Sequence, residues 1–215
     1  MTPVKPKGRC VVCGTDFSAY SAEAASVAAA VAMRLGQPLL LVHSMAETFR
    51  EELPDAARDS LMPLLGERLS AEGARLRMLG ANVETVLLRG LPDDGIAAFI
   101  RDCGAGLLVV GKSEHEVMAR CLTGNVAEVL AESSPVPTLV VHSAVPFVTW
   151  ARGGRPLRVL VAADLVRESG AAIRWVNELR RIGPCDATVA QVIRGAGAGE
   201  RTRSEERRVG KECCR

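Results

Sequence analysis

Short runs of apolar residues alternate with longer amphipathic segments along most of the chain. The runs are rich in valine and leucine, and a glycine or a polar residue follows each of them. Such runs are typical of strands that are buried on both faces of a parallel sheet. Before residue 143 we predict five strands, at residues 9–15, 38–44, 82–89, 107–111 and 138–141.

The segments between these runs carry apolar residues at the spacing of one helix face. The predicted helices cover residues 21–35, a stretch from Leu61 or Met62 to Gly80, a stretch around 96–103, and residues 126–132. Pro63 is placed in the first turn of the second helix. The predicted buried stripes contain Ala24, Val27, Ala28, Val31, Ala32 and Leu35, then Leu61, Leu64, Leu65, Leu69 and Leu76, then Ile96, Phe99, Ile100 and Cys103.

Strands that alternate with helices indicate an α/β fold. Over residues 9–143 we therefore expect a doubly wound, open, parallel, five-stranded sheet with helices on both faces. The pattern then restarts after residues 144–156, which contain glycine and proline and are predicted to be a linker. A run at 158–163, a helical stripe and a run at 187–193 predict a partial β-α-β second copy over residues 157–194.

The remaining residues, 195–215, are predicted to be a disordered tail. Residues 203–213 (RSEERRVGKEC) resemble the conceptual translation of a common sequencing-adapter oligonucleotide, so we interpret 203–215 as an assembly artefact. A natural charged tail is the alternative. Residues 203–215 hold five basic and three acidic side chains, and the rest of the chain holds 22 of each. With no basic surplus there, we expect no nucleic-acid partner.

Seven cysteines are present, and Cys10 and Cys13 form a C-x-x-C motif. The motif lies in a predicted strand, so its side chains should point to opposite faces and serve as buried structural thiols. No second motif or histidine cluster accompanies it, and we expect no metal site. No apolar run approaches the ~20 residues of a membrane span. No signal-like segment precedes the first strand, so we expect a cytoplasmic protein without membrane contacts.

The segment from Leu107 to Ser143 carries the clearest functional signal. It predicts a strand, a loop, a helix and a strand, which is a right-handed crossover unit. The loop lies at the carboxyl end of a strand and leads to a helix N-terminus. Open α/β sheets bind ligands at such places, where the free N–H groups favour phosphate.

Several motifs coincide with those of one family. Gly111 and Gly124 occupy the first and third glycines of a loop G-x2-G-x9-G-[S/T], with Glu114 at the second glycine and Asn125 at the last position. Three further matches are D-x-S at 16–18, L-L-x-V-H at 39–43 and V-x3-L-L-x-G-x-P at 83–92. Together these motifs resemble the universal stress protein family, in a tandem architecture with a truncated second domain. Many of its members bind ATP through this loop.

The resemblance implies a Rossmann-like, adenine-nucleotide-binding fold and a set of ATP-binding positions. The first contacts would be with adenosine and the later ones with phosphate: Asp16, Val42, Val110, Gly111, Ser113, Glu114, Gly124, Asn125 and Val126. Some positions also have purely structural explanations. Asp16 is a plausible cap, Val42 a core residue, Gly111 a turn residue, and Asn125 with Glu128 a capping box.

The expected function depends mainly on Glu114. A carboxylate beside a triphosphate adds like-charge repulsion, which weakens the binding of ATP. We expect a regulatory protein of the stress response that acts through protein contacts with unknown partners and has a degraded nucleotide loop. The alternative is an ATP-binding stress sensor. A third hypothesis, an enzyme, lacks a supporting motif, and we expect no enzyme. The resemblance also implies a homodimer formed through the edge strand Thr138–Val141.

Overall fold

The computed structural model of the protein describes residues 9–45, 54–112, 126–162 and 169–191. The chain divides into two compact units, residues 1–148 and 149–215. The described strands and helices of the first unit are β1 (Val11–Gly14), α1 (Ala19–Leu35), β2 (Leu39–Met45), α2 (Asp55–Met78), β3 (Val83–Arg89), α3 (Pro92–Cys103), β4 (Leu107–Gly111), α4 (Val126–Ser133) and β5 (Thr138–Val141). They are followed by α5 (Val145–Ala151), β6 (Leu157–Ala162), α6 (Ser169–Ile182) and β7 (Cys185–Ala190).

The strands β1 to β5 form one parallel sheet in the order β3-β2-β1-β4-β5. The central strand is β1, where Val11 lies opposite Leu39 on one side and Leu107 on the other. One face is covered by α1 and α2 and the other by α3 and α4. Parallel strands require such crossovers, which cover both faces of the sheet. The predicted doubly wound, open, five-stranded α/β fold is therefore confirmed.

Alternation along the strands divides the core between these two faces. One cluster combines Val12, Leu40 and Leu108 with the predicted stripe of α3, which is buried as expected. The opposite face packs against α1, whose buried residues from Ala24 to Ala32 are all alanine or valine. These small side chains let α1 lie close to the sheet, so the core reaches close packing with few aromatic residues.

Helix α2 differs from its prediction. It begins at Asp55, after Pro54 with an extended ψ of 147°, so Pro63 lies inside the helix rather than in its first turn. An internal proline costs about 3 kcal/mol, and the burial of Leu69 and Leu76 beyond it offsets that cost. Leu64 was assigned to the buried stripe but is 59% exposed. None of the helices in the described ranges is long and apolar enough to cross a membrane.

The predicted linker, residues 144–156, contains the seven-residue helix α5. Glu23 in α1 accepts a hydrogen bond from Ala144 N at 2.7 Å, and Ser143 Oγ accepts one from Val145 N at 3.4 Å. Acceptors at a helix N-terminus satisfy its free N–H groups, and a negative acceptor such as Glu23 also interacts favourably with the positive end of the helix dipole. The linker itself stays a prediction, but the helix within it was not expected, because its main anchor, Glu23, lies 121 residues earlier in the chain.

Cys10 and Cys13 point to opposite faces of the sheet, as a C-x-x-C motif in a strand requires. Cys10 Sγ lies 3.8 Å from Cys103 Sγ of α3, whereas Cys13 Sγ donates to the carbonyl of Gly14. Burial, with a further contribution from Cys103, raises the pKa of Cys10 to about 12, and burial also raises the pKa of Cys13. Thiols with raised pKa values are unreactive, which agrees with a structural role.

In the second unit, β6 and β7 form a separate parallel pair in which Leu157 lies opposite Cys185. Helix α6 packs against this pair, and Trp150 and Val176 are buried. The predicted strand, helix and strand are thus present, although each strand begins and ends one to three residues earlier than predicted. Their origin as a second copy of the first domain stays a prediction. The tail, residues 195–215, lies outside the described residues.

Gly111 ends β4 at the point where the N-terminal turn of α1 passes over it. A Cβ added to Gly111 would lie 2.7 Å from the carbonyl carbon and oxygen of Tyr20 and 2.9 Å from Ser21 N. These are backbone atoms, which cannot rotate away as the end of a side chain does. The position therefore requires glycine because two backbones approach closely, and its φ is not among the positive ones.

We predict that Gly111→Ala lowers the free energy of unfolding by about 1–3 kcal/mol, because the added methyl group overpacks this contact. Urea denaturation measures the change. The matched control is Gly66→Ala in α2, where nothing lies within 4 Å of an added Cβ; it should stabilise the protein by up to ~1 kcal/mol through helix propensity. Unchanged stability of Gly111→Ala would contradict the close approach.

Candidate functional site

The candidate site lies where the connections from β1 and β4 leave the centre of the sheet. These strands are neighbours, but the chain continues from β1 to β2 on one side and from β4 to β5 on the other. In open α/β sheets the crevice at the carboxyl ends of two such strands is the ligand-binding position. Residues 15–21 after β1, and residues 111–112 at the end of β4, line this part of the molecule.

The turn after β1 is closed by short-range hydrogen bonds. Asp16 Oδ1 accepts a hydrogen bond from Ser18 N at 2.9 Å, and Ser18 Oγ accepts one from Ser21 N at 3.1 Å. Ser18 is thereby the N-cap of α1. Asp16 forms an Asx turn and does not cap the helix itself, so its exposed carboxylate stands beside the helix start.

Two buried hydroxyl groups support this turn from below. Thr15 Oγ1 accepts a hydrogen bond from Phe17 N at 3.1 Å and lies 3.0 Å from Ser21 Oγ. Ser21 Oγ donates to the carbonyl of Ser18 at 3.0 Å. Thr15 also continues the sheet, since its N–H donates to the carbonyl of Val42 at 2.9 Å. A satisfied buried network of this kind holds a single backbone conformation.

Phe17 has a φ of 64°, and it is the one non-glycine residue in the described ranges with a positive φ. For a bulky L-residue the left-handed region costs about 1–2 kcal/mol. The Phe17 ring is in contact with His43, whose ring centroid lies 4.5 Å away, and with Arg68, whose guanidinium carbon lies 4.9 Å from the Phe17 ring centroid. Arg68 also donates to the carbonyl of Phe17 at 3.4 Å.

His43 joins β2 to the same turn. Its Nδ1 lies 2.7 Å from the carbonyl oxygen of Thr15. Because a carbonyl only accepts hydrogen bonds, Nδ1 carries the proton of this bond. This bond fixes the orientation of the ring and directs Nε2 away from the Thr15 carbonyl.

Opposing effects act on the pKa of Asp16. Partial desolvation raises this pKa, but hydrogen bonds from Ser18 and Ser21 together lower it by more. The pKa of Asp16 therefore lies below the ordinary value. Asp16 is therefore ionised at neutral pH and offers a hydrogen-bond acceptor. A carboxyl group with a lowered folded-state pKa stabilises the fold above its unfolded-state pKa, and this stabilisation is lost as pH falls through the folded value.

A cation lies on the other side of the site, after β4. Lys112 N donates to the carbonyl of Val141 at 3.0 Å, which continues the pairing of β4 with β5. Its Nζ lies 4.5 Å from the centroid of the Tyr20 ring. This cation–π contact fixes the ammonium group beside the first turn of α1.

The structure places the described candidate residues in different roles. The side chains of Val42 and Val110 are buried in the cluster beneath α3 and α4, and Val126 packs against the same cluster. The side chains of these valines carry no polar group with which to hold a ligand. Gly111 contacts α1 instead of providing a left-handed turn. Ser113, Glu114, Gly124 and Asn125 lie outside the described residues, as do any contacts they make.

Four residues at the site were not among the predicted site residues: Phe17, His43, Arg68 and Lys112. Two of them had a signal in the sequence, because Phe17 follows Asp16 directly and His43 ends the L-L-x-V-H motif. Arg68 had none, since it lies 51 residues from Phe17 and in the middle of a helix. Lys112 directly follows Gly111 of the loop motif, but its contact with Tyr20 becomes known only with the fold.

The sequence profile of the Universal stress protein family matches residues 9–142. None of the curated proteins matches the sequence at a significant level. Among solved structures, a universal stress protein in complex with cAMP is 25% identical, with a TM-score of 0.52 over 63% of this chain and 97% of that chain. A universal stress protein from Archaeoglobus fulgidus is 24% identical, with a TM-score of 0.52 over 62% of this chain and 98% of its own.

One likeness extends beyond the first unit. A universal stress protein from Archaeoglobus fulgidus DSM 4304 is 16% identical, with a TM-score of 0.68 over 85% of this chain and 65% of its own. At that identity the likeness shows a shared fold alone. Because the family profile covers the whole five-stranded sheet and solved family members share its fold, the chain belongs to the universal stress protein family.

Proposed function

We propose that this chain is a regulatory protein of the stress response that acts through protein contacts. In this proposal its nucleotide site keeps the part that holds adenosine and has lost tight binding of a triphosphate. The observation that carries the proposal is the contrast between the two ends of the site. A closed turn supports an ionised Asp16 after β1, whereas Glu114 and Asn125 replace a glycine and a hydroxyl residue in the phosphate loop.

Support for the adenosine end comes from the turn itself. Asp16 has its acceptor oriented by Ser18, and His43 is fixed by Thr15 on the adjacent strand. Ribose hydroxyls and the adenine amino group are donors, so they suit a carboxylate at this position. The family member solved with cAMP provides a precedent for a ligand with a single phosphate group.

The phosphate end supports the second part of the proposal. A phosphate loop works by presenting bare backbone N–H groups, and Glu114 adds a negative side chain at a glycine position. Two like charges about 4 Å apart repel by roughly 1 kcal/mol in water and by more in a partly desolvated site. A triphosphate carries more negative charge than a monophosphate, so this repulsion weakens its binding more.

An ATP-binding sensor is the second candidate, and Lys112 is the observation that favours it. Its ammonium group is held over Tyr20 next to the end of β4, where the phosphate loop begins. A fixed cation there would offset part of the charge of Glu114. We favour the first candidate because Lys112 is already engaged with Tyr20. In neither candidate do we propose a catalytic step; nucleotide turnover that Asp16→Ala abolishes would contradict this.

For assembly we propose a homodimer formed through β5. This strand pairs with β4 on one side and is the last strand of the sheet. Pro137 and Val141 point their carbonyls at β4, where they accept from Leu108 N and Lys112 N. Since alternate residues of a parallel strand bond to the same neighbour, Thr138 and Val140 direct their backbone groups to the open edge.

The first prediction compares ligands by calorimetric titration of the full chain. The wild-type protein should bind AMP and cAMP at least as tightly as ATP with Mg²⁺. Glu114→Gly combined with Asn125→Ser should raise ATP affinity by about tenfold, because it removes a charge repulsion worth one or more kcal/mol. AMP affinity should change by less than about twofold.

Glu132→Gln serves as the control for net charge, because Glu132 is an exposed carboxylate at the far end of α4. It should leave ATP affinity unchanged. Micromolar ATP binding by the wild-type protein would instead establish the sensor. An unchanged ATP affinity in the double variant would show that the loop substitutions are not the cause of weak binding.

A second prediction concerns the charge of Asp16. Asp16→Asn should destabilise the protein at neutral pH, because the neutral amide accepts hydrogen bonds from Ser18 less strongly than the carboxylate does. The difference from wild type should shrink as pH falls through the lowered folded-state pKa of Asp16, since both side chains are then neutral. Urea denaturation of both proteins across a pH series measures this difference in stability. A difference that does not depend on pH would show that the ionised form is not what the turn stabilises.

The dimer prediction uses the alternation of β5. Val140→Pro removes a donor at the open edge and leaves the bonds to β4 in place, so the protein should stay folded and become monomeric. Light scattering at micromolar concentration measures the mass, and circular dichroism checks the fold. Val140→Thr is the control, because it changes the side chain but keeps the N–H group. A dimer that persists in Val140→Pro would place the interface elsewhere.

A further inference from the structure

The strained backbone at Phe17 requires an explanation beyond local packing. Glycine, asparagine and aspartate occupy the left-handed region most readily, and a phenylalanine there is an outlier. Such outliers persist where the surrounding structure forces them, and they concentrate at binding and catalytic sites. Here the strained residue lies directly between Asp16 and Ser18, which the hydrogen bond from Ser18 N to Asp16 Oδ1 connects.

Rotation at Phe17 would therefore alter the Asp16 carboxylate. The hydrogen bond between Ser18 N and Asp16 Oδ1 spans the backbone of Phe17, so its 2.9 Å length depends on the φ of that residue. On the buried side, Thr15 holds Phe17 N. On the outer side, Arg68 is the described residue that bonds to Phe17 O and also contacts the Phe17 ring.

We propose that Arg68 is a positioning residue whose guanidinium, stacked on the Phe17 ring and bonded to the Phe17 carbonyl, holds the strained turn that presents Asp16 to the nucleotide. This inference rests on the proposed function for its ligand. Arg68 reaches the turn from α2, and it acts on the nucleotide through Phe17 and Asp16 rather than by contact. The planar guanidinium suits this task because it stacks and donates at the same time.

A double-mutant cycle on the full chain tests this inference. Glycine adopts positive φ freely, so Phe17→Gly removes both the strain and the ring that Arg68 contacts. Arg68→Ala alone should weaken AMP binding by about fivefold, the loss expected for one exposed cation–π contact with its hydrogen bond. In the Phe17→Gly background, Arg68→Ala should change AMP affinity by less than about twofold.

Arg75→Ala is the matched control. Arg75 also lies on α2, but it donates to α1 itself, at the carbonyl of Ala22 and at Ser26 Oγ, and not to the turn. It should leave AMP affinity unchanged. Equal losses from Arg68→Ala in both backgrounds would mean that Arg68 acts through its charge on the nucleotide and would overturn the inference. The absence of any loss would overturn it as well.

A readout without nucleotide separates this inference from the proposed function. Hydrogen exchange of the Ser18 amide should become about fivefold faster in Arg68→Ala and stay unchanged in Arg75→Ala, because loosening the turn frees that N–H group. If the wild-type protein binds no AMP, the proposed function fails and Ser18 exchange alone decides the role of Arg68. Unchanged exchange in Arg68→Ala would then overturn it.

Discussion

The chain must leave a fully buried strand and enter a buried helix within the four residues between Gly14 and Ala19. Strand β1 is covered on both faces and paired on both edges, so its direction is set by the sheet. The start of α1 is set equally firmly, because its backbone lies against Gly111 of the adjacent strand. The turn that joins them has little freedom, and a left-handed Phe17 satisfies both ends.

The polar groups around the site follow from this constraint. Thr15 and Ser21 are buried hydroxyls because the turn brings them together beneath the backbone, where each satisfies the other. His43 is oriented by the carbonyl that Thr15 exposes at the end of β1. Asp16 stands at the surface with its acceptor already directed. The cost of a strained residue is thus offset by contacts that also shape this edge of the sheet.

The sequence predicted the fold well because the periodicity is strong and local. The apolar runs identified all five strands of the first sheet, and the β5 boundaries, Thr138–Val141, were exact. Long-range contacts were not predictable in the same way. Helix α5 depends on Glu23, and α2 continues through Pro63 because of leucines buried further along. Each case is a tertiary contact that overrides a local signal.

The candidate site was predictable only in part, for the same physical reason. Asp16 and Val42 were found from motifs, but the motif for Val42 did not reveal that this residue is fully buried in the core of the sheet. Nothing in the sequence indicates a left-handed phenylalanine, since the usual signals for that conformation are glycine and asparagine. The contact of Arg68 with Phe17 follows from the packing of α2 over α1, which becomes known only with the fold.

We propose that an adenine nucleotide binds at the turn after β1, between β2 and β4. Amide chemical-shift mapping of the full chain during titration with AMP tests it most directly. We expect the largest shifts at Asp16, Phe17, Ser18 and His43, with a smaller shift at Lys112. Saturating AMP that leaves these amides unshifted, or that shifts only residues of β5 or of the second unit, would contradict it.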